Sequence, residues 1–81
     1  MARVLLFGRL RDQAGWRERR FAPSPSTLVG LKSLIAAEDA GLAAALDGPG
    51  VQTAVDRDLV RGDMVLTADA EVAFLPPMSG G

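Results

Sequence analysis

Apolar positions along the chain alternate in some stretches and recur at helical spacing in others, and the two patterns mark out its elements. Val4 to Leu10 reads as a strand, with Val4 and Leu6 pointing one way and Leu5 and Phe7 the other, because side chains of an extended chain alternate between faces. Both faces of this strand are apolar. Arg11-Asp12-Gln13-Ala14-Gly15 is polar and ends on glycine, which predicts a loop, and Trp16 to Ala22 then returns as a second, charge-edged strand to complete a hairpin. After the turn at Pro23-Ser24-Pro25-Ser26, Leu28, Leu31 and Ile35 recur at helical spacing with Leu34 beside them. Ser26 or Thr27 can cap the free N–H groups of that helix. Gly30 weakens it by about 1 kcal/mol relative to alanine. Gly41 interrupts the pattern, Leu42 to Leu46 allows one more short helical piece, and Gly48-Pro49-Gly50 forces a turn. Three extended segments follow, Val51 to Val55, Leu59 to Leu66 broken at Arg61-Gly62-Asp63, and Glu71 to Leu75, separated by turns bearing Asp or Gly.

The order is therefore strand, strand, helix, strand, strand, strand. A helix between two hairpin-like halves predicts an α+β domain: a mixed sheet of about five strands packed on one main helix plus a short second helix, with its other face open. The β-grasp (ubiquitin-like) fold has that order. Residues 1–75 make the single domain and residues 76–81 an extended tail. Alternation in the last strand assigns Val72 and Phe74 to the core and Leu75 to the open face; Leu5 and Phe7 on the first strand join Leu75 there as a candidate partner patch. Trp16 reads as packing against the first hairpin.

Composition narrows the chemistry. The 81 residues, 48% of them hydrophobic, suit one compact core, since a chain of this size buries roughly 60 to 65% of its unfolded surface. A net charge of -1 leaves no basic field of the kind that dominates nucleic-acid binding. Cysteine and histidine are both absent, which removes disulfides, thiolate nucleophiles, imidazole bases and the usual zinc ligands together. Asp56, Asp58, Asp63, Asp69 and Glu71 fall in turns without the ordered spacing of a calcium loop, so no metal site is expected. Arg17, Arg19 and Arg20 read as a solvated strand edge, and Lys32 is the sole lysine. The four apolar residues between Arg3 and Gly8 are far too few for a signal sequence or a membrane span, which points to a soluble, cytoplasmic protein with no membrane partner.

The last residues, Phe74-Leu75-Pro76-Pro77-Met78-Ser79-Gly80-Gly81, are the most informative. With 9 glycines in 81 residues a terminal Gly-Gly has odds of (9/81)×(9/81), about 1 in 80, so the dipeptide alone is a weak signal. Its context adds to it. Two prolines hold φ near -65° and favour an extended arm. A carboxylate at the end of such an arm, ionised at neutral pH with an ordinary pKa of about 3.5, is a poor electrophile and needs activation, most simply as an acyl adenylate made from ATP. Glycines without Cβ atoms can thread the narrow channel of an enzyme that encloses that carbonyl. The tail has the form of a substrate built into a protein.

Arg9-Leu10-Arg11-Asp12-Gln13-Ala14-Gly15 after an apolar first strand, Ala54-Val55-Asp56, and Asp69 to Gly81 resemble the small, sulfur-carrier subunits of molybdopterin synthase over the whole length, most strongly in the last third. The resemblance implies that Gly81 is adenylated by a ubiquitin-activating-type adenylyltransferase at the expense of ATP and converted to a thiocarboxylate with sulfur from a donor protein. Bound to the large subunit, in an assembly of two small and two large chains, it then gives that sulfur to cyclic pyranopterin monophosphate. Gly80 would be the threading neighbour and Pro76, Pro77, Met78 and Ser79 the arm. No cofactor would stay bound, and catalysis would lie on the large subunit. Asp56 stands where this family often has asparagine. Carriers for thiamine or another thiolation pathway share the terminal Gly-Gly, and a non-covalent ubiquitin-like interaction module remains a further alternative.

Overall fold

The computed structural model describes residues 1–77. Its elements, in chain order, are β1 (Ala2–Leu6), α1 (Gly8–Ala14), β2 (Glu18–Phe21), α2 (Leu28–Glu38), α3 (Ala40–Leu46), β3 (Gln52–Val55), β4 (Asp58–Val60) and β5 (Glu71–Leu75). The five strands form one sheet in the order β2-β1-β5-β3-β4. β1 and β5 run parallel, and every other neighbouring pair is antiparallel. β5, last in sequence, is thus central in space and bonded on both edges. This is the expected α+β, mixed-sheet arrangement, with three helices in place of two.

The extra helix corrects the reading of the first hairpin. The strand expected over Val4 to Leu10 ends at Leu6, and the expected loop at Arg11 to Gly15 belongs to α1 and its cap. Gly8, at φ 56, turns the chain out of the strand. Leu10 and Ala14 then lie one turn apart against the core, and Gly15, at φ 82, closes the helix by donating its N–H to the Arg11 carbonyl. Arg9, Leu10, Arg11, Gln13 and Ala14 are strong helix formers, and the apolar run Val4 to Phe7 masked the break. β1 and β2 do pair antiparallel, but through a helix and not a tight loop.

α2 starts where expected: the Thr27 hydroxyl accepts from the Gly30 N–H at 3.0 Å, and Asp63 accepts from the Val29 N–H at 2.9 Å. A carboxylate there also meets the positive end of the helix dipole. The break after α2 falls at Asp39, whose carboxylate accepts from the Leu42 N–H and caps α3; Gly41 lies inside that helix. The strand expected over Leu59 to Leu66 is cut back to β4. Its second half instead crosses the start of α2, where Val65 pairs with Thr27 and backbone bonds run from Leu28 to Met64 and from Leu66 to Ser26.

Leu28, Leu31 and Ile35 of α2 and Leu42 and Leu46 of α3 pack with Val4, Leu6, Phe21, Val55, Val72 and Phe74 into one core. Among the described residues no polar or charged side chain is buried. Phe74 is fully enclosed, and burying a side chain of that size contributes about 1.5–3 kcal/mol by area alone. The helices cover one face of the sheet and leave the other open. Among the described residues, no helix is long and apolar enough to cross a membrane.

Candidate functional site

The chain's last strand delivers the arm to a defined place. In the parallel pair, Leu6 lies opposite Phe74, so the end of β1 abuts the end of β5; in the antiparallel pair, Gln52 lies opposite Leu75, so the start of β3 abuts it from the other side. Pro76 and Pro77 leave the sheet through this gap and are half-buried there. Gly8, following β1, faces the Pro76 ring, and Gly50, preceding β3, faces Pro77. Met78, Ser79, Gly80 and Gly81, the remaining candidate residues of the tail, lie outside the described residues.

The open face carries the candidate partner patch. Cross-strand register aligns Leu5, Ala73, Ala54 and Leu59 in a single row over β1, β5, β3 and β4, with Glu18 of β2 at its end. Leu75 stands in the next row on the same side, opposite Gln52. Phe7 does not belong to the strand. It caps α1, yet its backbone is still extended (φ -123°, ψ 154°), so alternation keeps it on the Leu5 side, and it is 44% exposed. The structure therefore gathers Leu5, Phe7 and Leu75 at the end of the sheet from which the arm departs. It adds Leu59, 62% exposed, which went unnoticed in the sequence. The two-residue turn at Asp56-Arg57 was the signal available, because it fixes Leu59 opposite Ala54.

Several charged groups on the domain have structural partners. Arg3 pairs with Glu71 across the open face, where β1 and β5 are in register. The basic cluster does not form one patch: Arg19 turns to the helix side, over the rings of Trp16 and Phe21 and against Glu38 of α2, while Arg20 lies on the opposite side beside Arg3. Trp16 is half-buried against the core. An open groove of about 1000 Å³ runs between α2, α3 and the β3–β4 hairpin, but its Lys32 is tied to Asp47 at 2.9 Å and its Asp63 to the start of α2. Among the described residues, no group of three or more His, Cys, Asp or Glu side chains could hold a metal ion.

Asp56 has a local role. With Arg57 it forms the β3–β4 turn at positive φ (50° and 73°), the type I′ pattern that favours Asn, Asp and Gly. Its N–H donates to the Glu71 carbonyl at 2.8 Å and its carboxylate accepts from the Glu71 N–H at 3.0 Å, which ties the turn to the start of β5.

A family model described as the ThiS family matches residues 4–81. The chain belongs to the ThiS family. It is 36% identical, over 81 residues and the full length of both chains, to the molybdopterin synthase sulfur carrier subunit of Escherichia coli (strain K12). Two solved structures share the fold at 20% identity: small archaeal modifier protein 1 from Methanosarcina acetivorans, with a TM-score of 0.83 over 99% of this chain and 95% of that one, and SAMP1 from Haloferax volcanii, with 0.78 over 99% and 98%. Urm1 from Sulfolobus solfataricus, 17% identical, matches with a TM-score of 0.64 over 91% of this chain and 97% of its own. This ThiS-family chain is thus a ubiquitin-like sulfur-carrier protein with a β-grasp fold, close to the molybdopterin synthase small subunit.

Proposed function

We propose that this chain carries sulfur as a thiocarboxylate on Gly81 and delivers it in molybdenum cofactor biosynthesis. The observation that carries the reading is the course of β5, the central strand, which runs directly into Pro76-Pro77 and the end of the chain. A terminus issuing from a strand bonded on both edges has a fixed origin, as a group passed between enzymes needs. In the first step a Gly81 carboxylate oxygen attacks the α-phosphorus of ATP on a ubiquitin-activating-type adenylyltransferase, and pyrophosphate leaves. The outer sulfur of a persulfide on a donor protein then attacks the carbonyl carbon and AMP departs, and a thiol reduces the S–S bond of the resulting acyl disulfide to free the thiocarboxylate. ATP is consumed by the activating enzyme, and no cofactor stays on the carrier.

Docked on the large subunit of molybdopterin synthase, in an assembly of two small and two large chains, the thiocarboxylate sulfur bonds to cyclic pyranopterin monophosphate, and water then cleaves the C–S bond to Gly81, which returns to a carboxylate. Leu5, Phe7 and Leu75, with Leu59 further along the open face, form the docking surface. The chemistry falls to partners because the chain has neither cysteine nor histidine and, among its described residues, no buried polar or charged group to serve as acid, base or nucleophile. All of this takes place in the cytoplasm. The test is complementation. The chain should restore molybdoenzyme activity to a strain lacking its molybdopterin carrier and leave a strain lacking its thiamine carrier still dependent on thiamine. The reverse result would move the protein to the other pathway.

A further inference from the structure

We propose that Gly8 and Gly50 are positioning residues that clamp the root of the C-terminal arm from its two sides and set the direction in which it leaves the domain. The inference rests on the arm's role in sulfur transfer, and it starts from strand order. Because β5 lies between β1 and β3, the residue after β1 and the residue before β3 must flank whatever follows β5. Those positions are Phe7 and Val51, and the next one out on each side is a glycine at positive φ, 56° at Gly8 and 80° at Gly50.

The space at each is already filled by the arm. A Cβ on Gly8 would lie 2.8 Å from Cγ of Pro76, and a Cβ on Gly50 would lie 2.7 Å from Cβ of Pro77 and 3.7 Å from its Cα. Carbon atoms in contact sit about 3.5–4.0 Å apart, so both distances demand movement. A proline ring is closed onto its own backbone and cannot swing aside as a long side chain would. The arm's backbone must move instead. Gly8 meets Pro76 and Gly50 meets the next residue, so successive residues are held against opposite neighbours, and a displacement there changes the direction in which the arm leaves the domain. A misplacement of about 1 Å at a reacting group can slow a reaction on the order of 100-fold.

The fold supplies its own controls. Gly15 and Gly62 also sit at positive φ, 82° and 74°, with nothing within 4 Å of an added Cβ. Alanine there imposes comparable backbone strain without touching the arm. The experiment compares full-length Gly8→Ala, Gly50→Ala, Gly15→Ala and Gly62→Ala. Each is melted thermally and then incubated with ATP, the activating enzyme and a sulfur donor, with thiocarboxylate followed by intact mass. All four should melt at lower temperature than the wild type. Only Gly8→Ala and Gly50→Ala should load sulfur about 10- to 100-fold more slowly, in kcat and not in KM, because the open face they present to the enzyme is unchanged.

Removing the colliding ring atom should reverse the effect, so Gly8→Ala/Pro76→Ala should load faster than Gly8→Ala alone, a coupling that a purely structural role would not produce. Equal rates in the clamp and control variants, or no rescue by Pro76→Ala, would overturn the proposal. Failure of the wild type itself to load would refute the carrier function and not the clamp, which is read separately from nuclear Overhauser contacts between Gly8 and Pro76 and between Gly50 and Pro77. Their presence in the wild-type protein supports the clamp, and their absence overturns it.

Discussion

Replacing Asp56 by alanine should destabilise the domain by about 2 kcal/mol and leave its partner interactions untouched. The magnitude has two sources. Asp56 sits at φ 50°, a left-handed conformation that costs an ordinary residue about 1–2 kcal/mol but that Asp and Asn adopt readily. Its carboxylate also accepts the Glu71 N–H at 3.0 Å in an exposed position, a bond with a net contribution of about 0.5–1 kcal/mol there. In a domain of this size such a loss lowers the melting temperature by roughly 8–16 °C. Asp56→Asn keeps both the tolerance for positive φ and the acceptor oxygen, so it should melt within a few degrees of the wild type. The assay is a thermal melt of the three proteins, paired with titration of the large subunit below the lowest melting temperature. A variant Asp56→Ala that melts like the wild type but no longer binds would refute the reasoning and make Asp56 a contact residue.

Phe7→Asp and Leu75→Asp should fold normally and weaken binding to the large subunit by about 2 kcal/mol or more, roughly 30-fold, since each would place an unpaired carboxylate in an apolar contact. Unchanged affinity by titration would remove these residues from the interface, and a collapsed melt would make them core. Phe74→Ala should lose about 3–5 kcal/mol in urea denaturation, most of the stability of a small domain, because the ring is completely buried; a loss under about 1 kcal/mol would contradict the packing described.

Much of this molecule could be read from the sequence, and the parts that could not share a cause. α2 was legible because Leu28, Leu31 and Ile35 repeat at helical spacing behind the Thr27 cap, and β5 because the large apolar side chains Val72 and Phe74 fall two residues apart on one face of the strand. α1 was hidden because the apolar run Val4 to Phe7 passes without a polar break into Gly8, and the positive φ there separates strand from helix. Val65 has strand character, but its pairing with Thr27 depends on where α2 comes to rest. The arm's terminal glycines and prolines announced themselves locally. Gly8 and Gly50 did not, because what they touch lies 68 and 27 residues away along the chain (Pro76 from Gly8, Pro77 from Gly50) and is set by strand order. Leu59 was overlooked for the same reason, since a row across four strands exists only once register is known.

The central claim is that the terminal carboxylate of Gly81 is the working group, and removing that one residue tests it most directly. Deleting Gly81 shifts the carboxylate back by one residue, at most about 3.6 Å, away from where the activating and accepting sites receive it. A terminal residue has few contacts to lose, so the melt should be unchanged. Intact mass after incubation with ATP, the activating enzyme and a sulfur donor should then show one oxygen replaced by sulfur in the wild type and no such product in the shortened chain, which should also fail to make molybdopterin with the large subunit. Full sulfur transfer by the chain lacking Gly81 would contradict the account.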